Sequence, residues 1–336
     1  MKKLLFPILT ILIFQSCKKS KNTDTTTENN TSSNAVELAY APEANADSAF
    51  KFVQKQVDFG KRIPNTIPHK NCAKYFVETF KKYNWEVIEQ KFEAPAYDKT
   101  ILKLTNIVAS YNPKATKRIL LAAHWDTRPF ADQDPDQKNH KKPIDGANDG
   151  GSGVGVLLEL ARAINECKTK PGIGIDIVLF DGEDYGTPSF AEHEEGSSKT
   201  WCLGSQYWSK NTHTPNYQAY YGILLDMVGA KDAKFAKDGT SRMFATDVQE
   251  MIWNVAASMK LENTFTNMYS DEIIDDHLFV NKDAKIPMVD IIEYEPSDGA
   301  YFSKTWHTLE DNIDNIDKNS LKKVGDLLLQ LVYREK

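Results

Sequence analysis

Apolar residues recur along this chain with two different spacings, and the switches between them mark out its elements. Residues 47–59 place Phe50, Val53 and Val57 on one face of a helix. Residues 69–83 repeat that spacing through Ala73, Phe76, Val77 and Phe80. Extended runs follow at 85–92, 102–109 and 118–123. The stretch GGSGVGVLLELARAI, residues 150–164, turns from a glycine-rich loop into a helix. Residues 173–180 form a short, largely β-branched apolar run, as in a strand covered on both faces. Further strands are predicted at 220–225 and 288–292, and helices at 244–259 and 319–333, the last amphipathic. Strands alternating with helices predict an α/β fold: a single domain with a central mixed, mainly parallel β-sheet flanked by helices. No internal repeat is visible, and no interdomain linker follows residue 45.

The first 45 residues break this pattern. Met1-Lys2-Lys3 is positive, and the apolar run at 4–14 is too short for a stable bilayer span. Gln15-Ser16-Cys17 ends it. This resembles a bacterial lipoprotein signal, with Phe14 and Gln15 departing from the usual residues; a plain cleaved signal is the alternative. The expected division is a signal peptide at 1–16, a lipidated Cys17 heading a flexible Thr-, Asn- and Ser-rich tether to residue 45, and a catalytic domain at 46–336. The protein is then exported and anchored to a membrane, periplasmic or at the cell surface.

Composition narrows the function classes. A hydrophobic content of 41% supplies a real core. A formal net charge of −6 and a pI near 5.7 argue against a nucleic-acid partner. With Cys17 lipidated, Cys72, Cys167 and Cys202 allow at most one disulfide, and Cys167 and Cys202 read as structural. No cysteine pair has zinc-ribbon spacing, so a metal here needs nitrogen and oxygen ligands.

In folds of this class the working groups sit beyond the carboxyl ends of the strands. Acids and histidines collect there: His124 and Asp126 in LLAAHWD, Asp149 in DGANDGGSG, Glu183 and Asp184 in DGEDYG, Asp226 in ILLDMVGA, Asp275, Asp276 and His277 in IIDDHLF, and His307 in TWHTLEDN. If Asp126, Asp149, Glu183, Asp184, Asp226 and Asp276 converge, their repulsion demands protons or a cation. His124 and His307 make zinc the natural cation. Asp149, Asp184 and His307, one from each of three loops, make a three-ligand set, which leaves Glu183 free to move protons. Each short motif alone is commonly a solvated turn; the ordered set is far more specific. His69, His140, His193 and His213 stand in polar loops or at helix ends and read as solvated.

That ordered set resembles the zinc aminopeptidase superfamily, and within it the animal-type glutaminyl cyclases and their bacterial members. The resemblance covers most of residues 45–336 and rests on AAHWDTRP, GANDGGSGVGVLLELAR, VLFDGEDYG, LGSQYW, LLDMVGA, DDHLFV, IPMVDII and WHTLEDN. It implies one zinc ion on Asp149, Asp184 and His307, Glu183 as general acid and base, Asp226 and Asp276 as its hydrogen-bonding partners, and Trp306 lining the substrate pocket. The implied substrate is a peptide or protein with N-terminal glutamine, closed to pyroglutamate with release of ammonia. Asp184 departs from the glutamate common at its position, a reach one methylene shorter. His124 and Asp126 either serve a second metal or support the ligands from behind. The rival readings are a two-zinc aminopeptidase using His124, Asp149, Asp184, Asp226 and His307, and a non-catalytic binding lipoprotein.

Overall fold

The β-branched runs pair into a six-stranded sheet. The computed structural model describes residues 36–192, 197–294 and 302–335. The predicted signal peptide, Cys17, the first part of the tether and His193 lie outside them. The sheet holds β1 (Glu86–Pro95), β2 (Ile101–Tyr111), β3 (Arg118–His124), β4 (Gly174–Phe180), β5 (Gly222–Asp226) and β8 (Met288–Ile292), in the order β1-β2-β4-β3-β5-β8. Strands β4, β3, β5 and β8 run parallel, while β1 and β2 add an antiparallel edge. Two short strands, β6 (Phe235–Lys237) and β7 (Phe265–Tyr269), pair separately. The expected mixed, mainly parallel sheet is present.

The central strands are buried on both faces, which is why they read as continuous apolar runs rather than alternating ones. On β3, Ile119, Leu121 and Ala123 enter one core while Leu120 and Ala122 enter the other; on β4, Ile175, Ile177 and Leu179 oppose Val178 and Phe180. The first core is covered by α1 (Ala46–Asp58), α2 (Ile67–Lys82), α3 (Gly151–Glu166), α5 (Gly239–Ser258) and α7 (Lys318–Arg334). The second is covered by α4 (Leu203–Lys210) through Trp208, with Val280 packed beside it just after the short α6 (Asp276–Phe279). No helix of the described residues is long and apolar enough to cross a membrane.

The structure departs from the expected tether boundary. Residues 36–45 are fastened to the domain: Val36 N donates to Ser258, Ala39 N to Gln330, Ala44 N to Asp326 and Asn45 N to Glu159. This segment carries little to bury, so its backbone is satisfied by side chains of α3, α5 and α7, a device no local pattern reveals.

Candidate metal centre and catalytic pocket

The parallel strands deliver their chemistry at one end. His124 is the last residue of β3 and Asp226 the last of β5; Glu183 and Asp184 follow β4 by a few residues. Asp149 precedes α3, and His307 lies in the loop before α7. Gly150 makes the first junction possible. Its φ of +78° favours glycine, and a Cβ there would sit 2.9 Å from the His124 ring and from the Asp126 carbonyl.

Two buried carboxylates fix the acid-bearing loops by the same device. Asp126 accepts from Glu183 N at 3.0 Å and from Asp184 N at 3.2 Å. Asp311 accepts from Asn148 N at 2.7 Å and from Asp149 N at 3.2 Å. Each carboxylate therefore grips two consecutive amides and aims the side chains they carry.

Asp149, Asp184 and His307 each offer a ligand atom, and these lie within 4.8 Å of one another; His124, Asp149 and Asp226 form a second such group sharing Asp149. His307 Nε2 is 3.2 Å from Asp184 Oδ1 and 3.5 Å from Asp149 Oδ2. His124 Nε2 is 2.9 Å from Asp149 and 3.3 Å from Asp226. Both ring nitrogens of His124, Asp184 Oδ2 and Asp226 Oδ1 are buried without a hydrogen-bond partner. Buried polar atoms left in this state are costly. Imidazole and carboxylate donors of this kind fit a zinc ion.

The protonation state of His307 agrees with that fit. Burial, reinforced by the Arg128 cation, pulls His307 down to about 3, so its ring is neutral and able to ligate. Burial pushes Asp184 up to about 7, with Asp126 and Asp132 adding like charge against the opposing Arg128. Burial also raises Glu183 well above the usual carboxyl range, and the nearby Asp184, Asp275 and Asp276 add to it. Burial disfavours a charged His124, but the carboxylates of Asp126, Asp149 and Asp226 overcome it and raise the ring well above its ordinary value.

A cavity of about 80 Å³ opens onto these groups, walled by Trp201, Ile273, Ile274, Phe302 and Trp306. Trp306 stacks on His307 at 3.9 Å and packs at a tilt against Phe302 at 4.9 Å. His307, Met227 and Cys202 hold φ values of 53°, 48° and 54°, three non-glycine residues in the left-handed region around one site. A larger groove of about 560 Å³ lies between α2 and the β1–β2 hairpin, and the acids described above do not line it.

Sequence reasoning and structure diverge at several residues. The cavity is lined by Asp275, not Asp276. Asp275 caps α6 through its own side chain, so the chain turns between the two acids, and Asp276 is fully buried one position further on. Glu183, Cys202 and Asp275 offer atoms within 4.8 Å of one another, which brings Cys202, read as structural, to the site. Asp126 holds backbone rather than facing the cavity. His69 is buried, not solvated: its Nε2 lies 2.9 Å from Asp181 and its ring stacks on Trp125. The side chain of His213 is likewise buried, its ring stacked on Trp208. His140 is half-buried and bonds the Asp134 carbonyl. Trp201, Arg128 and Asp132 carried no assigned role. Arg128 holds Asp132 through two hydrogen bonds, donates to the Asp184 carbonyl at 3.0 Å and packs on Trp201, whose ring lies parallel to His307. For Arg128 and Asp132 the only signal was their spacing of four inside DTRPFAD.

Comparison with known proteins bears on this geometry. The profile of peptidase family M28 matches residues 106–332. A solved glutaminyl cyclase of Bacteroides thetaiotaomicron, bound to N-acetylhistamine, is 49% identical, covers 88% of this chain and 100% of that one, and superposes with a TM-score of 0.85. A Zn-dependent exopeptidase from Parabacteroides distasonis is 47% identical at the same coverages and TM-score. The glutaminyl-peptide cyclotransferase of Gloydius blomhoffii is 25% identical over 67% of this chain and 63% of its own length. The chain thus spans less than two thirds of that curated relative. With the profile matched over well more than half of its residues, the chain belongs to peptidase family M28.

Proposed function

We propose that this protein is a glutaminyl-peptide cyclotransferase that closes an N-terminal glutamine to pyroglutamate and releases ammonia. The observation that carries the reading is the pairing of Glu183, outside the two ligand groups that share Asp149, with a second carboxyl, Asp275, at a small aromatic-walled cavity. Such a cavity suits one short side chain. The solved glutaminyl cyclase at 49% identity supports the same reading.

Asp149, Asp184 and His307 would hold one zinc ion. When bound, zinc polarises the γ-carboxamide and stabilises negative charge on its oxygen. Glu183, raised by burial and neighbouring carboxyls, takes a proton from the attacking α-amine and returns it to the departing nitrogen. The new bond joins the α-nitrogen to the side-chain carbonyl carbon, and the bond that breaks frees ammonia. Asp275, which lines the cavity beside Glu183, would take the part expected of Asp276: it would share a proton with Glu183 and, with Asp226, accept from the leaving amide. Trp306 and Phe302 wall the side chain. The reaction is intramolecular, so positioning supplies much of the rate.

The decisive assay measures ammonia from a glutamine-led peptide alongside zinc per chain. Ammonia with one zinc supports the cyclase. Two zinc ions and a freed amino acid would establish the exopeptidase reading, and neither product would leave a binding protein. We further propose export with lipid on Cys17, on the strength of the sequence of residues 1–17; mass spectrometry of the mature N-terminus tests it.

A further inference from the structure

Cys202 is held beside Glu183 by three independent contacts. Its amide donates to the Glu183 carbonyl at 3.0 Å, and the next amide, Leu203 N, donates to the Gly182 carbonyl at 3.0 Å. Its thiol lies 3.3 Å from Glu183 Oε1, within the longer reach of a sulfur hydrogen bond. The Cys202 carbonyl is fixed in turn by the hydroxyl of Ser205 and the amide of Gln206, the first turn of α4. The side chain is fully buried, and the residue pays for this placement with a left-handed backbone at φ 54°.

We propose that Cys202 is a positioning residue: its S–H group holds one oxygen of the Glu183 carboxylate, leaving the other directed to the substrate proton. The proposal rests on Glu183 acting as the base in the cyclase reading. Burial, with the like charges of Glu183, Asp276 and Asp275, pushes the thiol well above its ordinary range, so the group stays a donor and is no nucleophile. A thiol is a weak donor. Its role is to fix the carboxylate's orientation. The other free cysteines are elsewhere in the fold, so no disulfide competes for this sulfur among the described residues.

The test compares wild type, Cys202→Ala and Cys202→Ser. Alanine keeps the β-carbon and therefore adds no backbone strain, and serine keeps a donor. With zinc content and unfolding temperature matched, Cys202→Ala is expected to lower kcat about 10-fold at unchanged KM, the loss of one hydrogen bond to a charged group. Cys202→Ser should return to within about 3-fold of wild type, since its hydroxyl still donates. Wild-type kcat in Cys202→Ala overturns the proposal, as does an equal loss in both variants, which would mark a packing role. A crystal structure of Cys202→Ala gives a reading independent of turnover: Glu183 should leave its present position, and an unmoved carboxylate overturns the proposal. A wild-type enzyme that releases no ammonia sinks the cyclase reading instead, and leaves this structural comparison standing.

Discussion

Asp126→Asn isolates the device that aims the catalytic loop. Asp126 is fully buried, and its two oxygens accept from Glu183 N and Asp184 N at 3.0 and 3.2 Å. Burial works against its charge, but His124 and those two amides hold its carboxyl below the usual range. Asparagine has the same outline yet only one acceptor; its NH2 group would face the second amide, donor against donor. The loss is one hydrogen bond to a charged group, with a buried N–H left unsatisfied, together about 3 kcal/mol. In a domain of this size that lowers the unfolding temperature by about 5 °C. The loop also relaxes, and a displacement of about 1 Å costs on the order of 100-fold in rate. The assay is thermal unfolding by circular dichroism with kcat on a glutamine-led peptide. Asp311→Asn is the matched control, because it frees the amides of Asn148 and Asp149 and should weaken zinc binding through Asp149. Unchanged stability and turnover in Asp126→Asn would refute the argument that these loops are held by carboxylates.

Glu183→Gln should reduce turnover at least 1000-fold, roughly the contribution of a general base, with zinc still bound; near-normal activity removes Glu183 from the mechanism. Trp306→Ala should raise KM about 10-fold through the lost wall of the cavity, and unchanged kinetics would deny that role. Gly186→Ala would place a Cβ 1.8 Å from Trp201, displacing the ring that packs between Arg128 and His307; zinc affinity and kcat should both fall, whereas a wild-type profile would show that Trp201 is dispensable. Chelated protein should lose stability as pH rises from about 6.5 to 8. Asp184, at about 7, and Glu183 are raised in the fold, so their contributions are present at low pH and are lost as pH climbs through the folded values. His307, held near 3, acts with the opposite sign, but its remaining effect fades just above the ordinary histidine value of about 6.5 and is smaller than that of Asp184. A melting temperature of chelated protein that stays level or rises across this interval contradicts the assignment.

The central strands were legible because burial on both faces leaves an uninterrupted apolar run at β3, β4, β5 and β8. Helix α4 was missed: in LGSQYWSK only Leu203 and Trp208 are buried among its large apolar side chains, too few to show a period. The beginning of α5 was missed for a related reason, since Ala245 leaves helical geometry and splits the pattern. The ligand candidates could be read because loops after consecutive parallel strands must meet. The choice between Asp275 and Asp276 could not, since it turns on which of two adjacent residues caps a helix. His69 was misread because its partner Asp181 is 112 residues away, and nothing in the surrounding residues announces that pairing.

The paired amide grips of Asp126 and Asp311 have a consequence for how the centre acquires its ion. Their hydrogen bonds come entirely from the polypeptide, so the cradle is preorganised by folding instead of being assembled around a cation. Demetallation should then be reversible, and reloading should run at the pace of ion encounter, with no refolding step between.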